Sequence, residues 1–267
     1  MAGSINIFDY NFMTEDQLKN IPYDTGLITT SDFDPQNPDL TNIEALCPTT
    51  GDITINSTAT IVNLAEDINN LHGEPIELQQ MTGRENTLSF TALGVSEQTV
   101  RMGLMATQAA KTADGGIVPK YYLSPSDFTD KPLWVICTLI GGGMFAVKFE
   151  RFLNTAGFSL TTSKAGKGNS AFTLKGFNSI KDMTASPITY YPIPARFVVS
   201  FDVQGHGTAP DEEVIKEGEK ATEPTAPTAS GYTFGGWYKE AACTNAWNFS
   251  TDTVEKDVVL FAKWTET

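Results

Sequence analysis

Two prolines in three residues, Pro192-Ile193-Pro194, interrupt the chain at the point where its composition changes. Each proline fixes its backbone φ and removes a hydrogen-bond donor, so the pair forms a stiff connection instead of a continuing strand or helix. Residues 197–267 hold Trp237, Trp247 and Trp264, three of the chain's 4 tryptophans, together with a Pro/Thr/Ala stretch at 222–230. At 267 residues the chain is long enough for one large domain and a smaller one. The expected organisation is an N-terminal arm at 1–22, a domain at 23–195 and an accessory domain at 197–267.

The arm carries Ile5, Ile7, Phe8, Tyr10 and Phe12, apolar residues too few to form a core of their own. They must bury against the body of the protein or against a neighbour, and the residues leave both open. Thr14-Glu15-Asp16-Gln17 reads as a capping box ahead of a short helix at about 15–20, closed before Pro22.

The body reads mainly as strands. Tyr23–Thr30 and Asp52-Ile53-Thr54-Ile55 show strand patterning. Ile61, Leu64, Ala65, Ile68 and Leu71 fit a helical face ended by Gly73 and Pro75, or equally a strand running into a long loop. Pro75–Met81 and Thr87–Val95 are expected to pair around a turn at Gly83-Arg84-Glu85-Asn86. Ser96 caps a helix expected over 97–111, with Val100, Leu104 and Thr107 on one face. Leu133–Ile140 is a buried strand, Gly141-Gly142-Gly143 a hairpin turn, and Phe145–Phe152 the return. Phe158–Thr162 and Ser170–Gly176 flank a polar tip at 164–169. One helix among so many strands predicts a sandwich or barrel with a helix packed on it.

Charge narrows the function. The net charge is -14. Residues 1–52 carry 9 acidic and 1 basic side chain, residues 197–267 carry 12 and 5, and the middle is nearly balanced with 11 and 12. Tight nucleic-acid binding needs Lys and Arg that displace counterions, so it is disfavoured; an acidic wall past which DNA slides without sticking is compatible. Cys47, Cys137 and Cys243 have no metal or redox spacing and are expected as reduced thiols. The start has no basic and apolar leader pattern, so no secretion signal is expected, and no window reads as a transmembrane helix.

No catalytic constellation is recognisable. His72 and His206 each lie beside a glycine in an expected loop. The triple glycine lacks the Lys-Ser/Thr of a phosphate loop and precedes a strand. Asp211-Glu212-Glu213 reads as a solvated turn, not a calcium site. Tyr232, Phe234, Trp237 and Trp264 fit a core better than a sugar platform. The expectation is no enzyme activity, no catalytic residues, no metal and no cofactor.

Two resemblances follow from particular residues. Val199-Ser200-Phe201-Asp202, Gly205, Gly207, Gly218, Pro224 and Pro227 lead into Gly231-Tyr232-Thr233-Phe234-Gly235-Gly236-Trp237-Tyr238. Then come Trp247-Asn248-Phe249 and the closing Val258-Val259-Leu260-Phe261-Ala262-Lys263-Trp264. This stretch resembles the internalin-type B-repeat, which implies a small β-grasp-like domain with a core of Phe201, Tyr232, Phe234, Trp237, Phe249 and Trp264. It departs from the pattern at His206, between the two glycines, and at Phe261, where Tyr is usual.

The order of elements in the body carries the second. Gly51-Asp52-Ile53-Thr54-Ile55, an insertion at 62–74, Ser89-Phe90-Thr91-Ala92-Leu93, the Ser96-Glu97-Gln98-Thr99 helix start, Leu133-Trp134-Val135-Ile136, Ala146–Phe152 and Phe172-Thr173-Leu174-Lys175-Gly176 follow one another. The order resembles that of the major tail, or tail-tube, proteins of siphophages, bacteriophages with long non-contractile tails. It implies strand plus loop at 61–72. It also implies a virion protein, assembled in the host cytoplasm, that polymerises as stacked homo-hexameric rings whose inner strands form a barrel for DNA ejection. Ile5, Ile7, Phe8, Tyr10, Phe12, Asp67, Ile68, Asn69, Asn70, Leu71 and His72 become candidates for inter-ring contact. Implied partners are further copies of the chain, the tape measure, tail terminator and distal tail proteins, and DNA transiently in the lumen. The C-terminal domain would decorate the exterior and bind a host cell-surface glycan weakly, with no membrane partner. The alternative is a bacterial cell-surface or adhesion module carrying a B-repeat.

Overall fold

The computed structural model describes residues 18–22, 24, 26–64, 76–104, 112–119, 132–162, 168–178 and 185–267. Backbone contacts group the chain into two units: Tyr23–Thr138 with Phe145–Tyr191, and Met1–Pro22 with Leu139–Met144 and Pro192–Thr267.

The first unit is built on two four-stranded sheets. One has the order β1-β4-β5-β8, formed by β1 (Leu27–Thr29), β4 (Leu133–Thr138), β5 (Met144–Phe149) and β8 (Ile188–Ile193). The other has the order β2-β3-β7-β6, formed by β2 (Thr49–Asn63), β3 (Gln79–Leu93), β7 (Asn169–Gly176) and β6 (Phe152–Asn154). Period-2 alternation drives the packing, since successive side chains leave a strand on opposite faces. Leu88, Phe90 and Ala92 of β3 and Phe172 and Leu174 of β7 are buried in one apolar cluster with Ile28, Leu133, Val135, Val147 and Phe149 of the first sheet. Phe90 and Phe172, paired across the strands, stack at 5.2 Å between ring centroids. The protein is mainly β.

The helix α1 (Glu97–Gly103) opens on Ser96. The Ser96 hydroxyl accepts from the Thr99 amide at 3.1 Å, and the Thr99 hydroxyl accepts from the Ser96 amide at 2.9 Å. The reciprocal pair satisfies two donors that the first helical turn leaves orphaned. Thr99, Met102 and Gly103 form the buried face, whereas Val100 and Leu104 are half-buried. The face expected from Val100 and Leu104 is thus rotated onto Met102, which packs into the core cluster, with Thr99 and Gly103 beside it. Residues 105–111 of the expected helix lie outside the described residues.

Two further expectations change. Gly83-Arg84-Glu85-Asn86 is no turn: it lies within β3, paired in register with Thr60, Ala59, Thr58 and Ser57 of β2. Polar residues read as a loop when one face of a strand is assumed apolar, but here Gly83, Arg84 and Glu85 are exposed and the buried Asn86 is itself polar. Phe158–Thr162 contributes a single bridge, Thr161 to Asn169, rather than a strand. The stretch from residue 61 is strand through Asn63; residues 65–75 lie outside the description.

In the second unit, β9 (Arg196–Asp202), β10 (Glu213–Lys216), β11 (Tyr232–Tyr238) and β12 (Val258–Glu266) form one sheet of order β10-β9-β12-β11. The central β9 and β12 are parallel and the flanking pairs antiparallel. Second-first-fourth-third, with a parallel centre, is the strand arrangement of a β-grasp sheet. A bulge between Phe234 and Trp237 lets β11 carry Gly236 at φ +105°, a conformation that glycine adopts without the Cβ penalty.

Candidate functional site

The most unusual feature of the first unit is the length of β2 and β3. Both run for 15 residues, whereas β7 pairs with β3 only from Thr87 to Leu93. Beyond that point β2 and β3 continue as a bare two-stranded ribbon, from Ser57 opposite Asn86 to Asn63 opposite Gln79. Asn86 closes the base: it is buried, and its Oδ1 accepts from the Ser57 hydroxyl at 2.7 Å, while Arg84 Nη1 donates to the same hydroxyl at 3.1 Å.

The far end of the ribbon is apolar and exposed. Ile61 faces Met81 across the strands, and the two are 59% and 58% exposed. Leu64 and Ile76 follow at 55% and 80%. A two-stranded ribbon is marginal in water without a packed face, and clustered exposed apolar residues mark interaction sites more often than single ones do. β2 is also an edge strand, so one side of its backbone has no strand neighbour among the described residues, an arrangement open to pairing with another chain.

The other face of this sheet has a different chemistry. Thr54, Asn56, Thr58 and Thr60 of β2 are exposed and alternate with half-buried Ile55, Ser57 and Ala59. Thr54 lies beside Ser89, which lies beside Thr173, and the Ser89 and Thr173 hydroxyls are 3.4 Å apart. Asn56 lies beside Thr87, which lies beside Lys175. The Lys175 ammonium is tied to Glu85 at 3.1 Å. The sequence signal for this face is the Thr-x-x-x-Thr-x-Asn-x-Thr-x-Thr spacing from residue 50 to 60, a polar period rather than an apolar one.

The second unit centres on aromatic rings. Phe201 and Trp237 are buried and stand 4.8 Å apart between centroids. Phe234, Phe249 and Trp264 are half-buried and pack against the same cluster. Tyr232 is half-buried at the edge and stacks on His206 at 4.1 Å, with Trp264 5.8 Å from the same imidazole. The Trp264 indole donates to the carbonyl of Val203 at 3.0 Å. These rings face the core or one another.

Ile5, Ile7, Phe8, Tyr10, Phe12, Asp67, Ile68, Asn69, Asn70, Leu71 and His72 lie outside the described residues. The three cysteines are free thiols. Burial pushes the Cys47 thiol up to about 11 and, with the Asp24 charge, raises that of Cys137, which disfavours the reactive thiolate. Among the described residues no group of three or more His, Cys, Asp and Glu is placed to hold a metal ion, and no helix is long and apolar enough to cross a membrane.

Residues 197–263 match the family model of the Listeria-Bacteroides repeat domain. Curated relatives match over stretches of comparable length. A "Putative Gly-rich membrane protein" of Evansella cellulosilytica is 43% identical over 68 residues, 26% of this chain and 8% of the relative. A "Putative membrane protein" of the same organism is 41% identical over 68 residues, 10% of its length. Internalin H of Listeria monocytogenes is 37% identical over 75 residues, 28% of this chain and 13% of that protein. The chain thus spans a small fraction of the relatives it matches.

Among solved structures, a chain from the virion of a native gene transfer agent particle aligns with 62% of this chain and 95% of its own, at 14% identity and a TM-score of 0.30. A chain from the tail of an empty gene transfer agent particle, with C6 symmetry, aligns with 58% and 92% at 15% identity and the same TM-score of 0.30. At that TM-score the likeness carries no weight on function.

Proposed function

We propose that the chain is a non-enzymatic structural subunit that polymerises as stacked, six-membered rings into the tail tube of a virion. One observation carries this reading: the β2–β3 ribbon projects past its own sheet with an apolar end and, among the described residues, an edge that pairs with no further strand. Both deficits are removed when copies associate, because a neighbour covers the apolar end and a ring of joined strands has no edge. The element order of residues 23–195, which resembles that of tail-tube proteins, supports the same reading. Residues 197–267 would decorate the exterior and bind the cell surface weakly. The remaining partners are other tail components and DNA in the bore, held without specific contacts, and no cofactor is required.

Electron microscopy of the purified full-length protein tests the proposal. Rings or tubes with a regular axial repeat are expected. A chain that stays monomeric in sedimentation at high concentration and under tail-assembly conditions overturns it.

A second reading, a cell-surface or adhesion module, draws on the repeat-domain match at 197–263. It predicts that the full chain is retained by bacterial cells or their polysaccharide, and that removing residues 197–267 abolishes retention without any polymer forming.

A further inference from the structure

We infer that residues 5–12 of the N-terminal arm seat on the open face of the β10-β9-β12-β11 sheet of the same chain. This seating stands apart from the tube reading above, and it decides between the two burial places that the sequence leaves to the arm.

The sheet has one closed face and one open face. Val199, Phe201, Ile215, Leu260 and Ala262 turn into the buried aromatic cluster. Strand alternation therefore turns Val198, Val214, Val259 and Phe261 the other way. Val214 lies beside Val198, Val259 beside Ser200, and Phe261 beside Tyr238. Val214 and Val259 are 60% and 46% exposed, whereas Val198, Phe261 and Tyr238 are half-buried. An apolar band thus crosses all four strands outside the buried cluster. Apolar side chains grouped in this way mark a docking surface.

Position, reach and charge name the occupant. Lys19 and Ile21, at the root of the arm, are held against the Gly141-Gly142-Gly143 turn. The Gly141 amide donates to the Lys19 carbonyl at 2.9 Å, and the Ile140 amide to the Ile21 carbonyl at 3.0 Å. A Cβ on Gly141 would lie 2.7 Å from the Lys19 Cβ, so glycine is what admits the arm this closely. The Lys19 ammonium meets Glu217 at 2.9 Å, directly after the last residue of β10. The arm is thereby rooted beside the sheet. Val214 lies about 10 Å along the strand from Glu217. From Lys19, Phe12 reaches about 10 Å along a helix and about 23 Å when extended, which covers that distance either way.

The charges match as well. Residues 1–17 contain Asp9, Glu15 and Asp16 and no Lys, Arg or His. By the same alternation the open face carries Arg196, Lys216 and Lys263 against a single strand carboxylate, Asp202. The Asp257 carboxylate at its rim accepts from the Val198 amide at 2.9 Å. A face with an excess of cations, on a chain of net charge -14, suits an acidic apolar segment.

The test places photoreactive p-benzoylphenylalanine at position 214 of the full chain, and separately at position 259 in case the first variant does not fold. Chains of natural and heavy nitrogen isotope are mixed before irradiation, and cross-linked peptides are read by mass spectrometry at low and high protein concentration, so the result is readable whether or not tubes form. Expected is linkage to residues 4–13 of the same chain, joining like isotopes only. Linkage between unlike isotopes puts the arm on a neighbouring copy and overturns the in-chain seating. Linkage elsewhere, or none from a variant whose circular dichroism matches wild type, overturns it as well. Asp9→Lys with Asp16→Lys is expected to lower the yield about threefold, the scale of two surface ion pairs, and Lys216→Glu with Lys263→Glu to restore it. A yield that charge reversal leaves unmoved overturns the assignment of this segment to this face.

Discussion

The side-chain amide of Asn154 donates to the carbonyl of Gly103 at 3.2 Å, joining β6 to the C-terminal turn of α1. The same nitrogen donates to Gly157 at 2.7 Å, and the amide oxygen accepts from the backbone of Ala156 and of Thr173, each at 3.3 Å. Asn154 is 1% exposed, so its two donors and its acceptor are all satisfied away from water. One side chain thus ties a helix end, a loop and β7 together.

Replacing Asn154 leaves buried backbone groups without partners. Asn154→Ala is expected to destabilise the protein by about 2–3 kcal/mol, the cost of several buried polar groups losing their bonds. Asn154→Asp is expected to be at least as damaging at neutral pH, because it places a carboxylate oxygen against the carbonyls of Gly103 and Gly157. Urea unfolding monitored by circular dichroism gives both values. An Asn154→Asp variant as stable as wild type would show that the amide donor has no such role.

Gly103 is constrained from the other side. A Cβ on Gly103 would lie 2.5 Å from Cδ2 of Phe158, closer than packed atoms tolerate. Gly103→Ala is therefore expected to cost about 1–3 kcal/mol through overpacking. Phe158→Leu should recover part of that loss in the double variant, giving a coupling term between the two positions. Strict additivity in a double-mutant cycle would show that the ring gives way freely.

How far these relationships are legible in sequence depends on what the signal is made of. The sandwich core was readable because Leu88, Phe90 and Ala92 alternate with polar residues, and alternation is a one-strand property. The Ser96 cap was readable because its partner is three residues away. The run through Gly83-Arg84-Glu85-Asn86 was misread because it has no apolar period, its one buried residue, Asn86, being polar, and it shares its composition with a turn. The Asn154–Gly103 tie spans 51 residues, and no local pattern encodes a bond whose two ends are brought together only by folding. The aromatic residues of 197–267 were visible as a set, whereas the ring contacts of His206 with Tyr232 and Trp264 depend on the turn at Gly205 and Gly207, both at positive φ.

The second unit carries a pH dependence. Asp252 is held below the usual carboxylate range, first by the Asn248 backbone amide and then by Lys239. Glu240 is lowered chiefly by the Thr244 hydroxyl and the Asn245 amide. Groups with a depressed folded pKa contribute stability that is present above their unfolded values and lost as pH falls through the folded ones. The unit should hold its stability near neutral pH and lose it in acid, below the ordinary values of 3.8 for Asp and 4.5 for Glu. Asp252→Asn with Glu240→Gln should flatten that acid limb. Three of the four tryptophans lie in this unit, so fluorescence during acid titration reports it. An unchanged acid limb in the double variant would locate the dependence elsewhere.

The ribbon supplies the prediction on which assembly turns. Ile61 and Met81 face each other at 59% and 58% exposure, so neither contributes much to the fold of an isolated chain. Ile61→Ser with Met81→Ser should leave urea stability within about 0.5 kcal/mol of wild type, as expected for exposed positions away from structural features. The same pair should abolish tube formation if the ribbon's apolar end docks on a neighbouring copy. Analytical ultracentrifugation separates the two effects: wild type distributed in large species, the variant sedimenting as a folded monomer. A variant that polymerises as wild type does would remove the ribbon from the contact and leave the free edge of β2 as the remaining route to assembly. A variant that unfolds would show instead that Ile61 and Met81 stabilise the strand pair itself, and a Val62→Ser change, at the neighbouring position with 41% exposure, would then separate the contact from the fold.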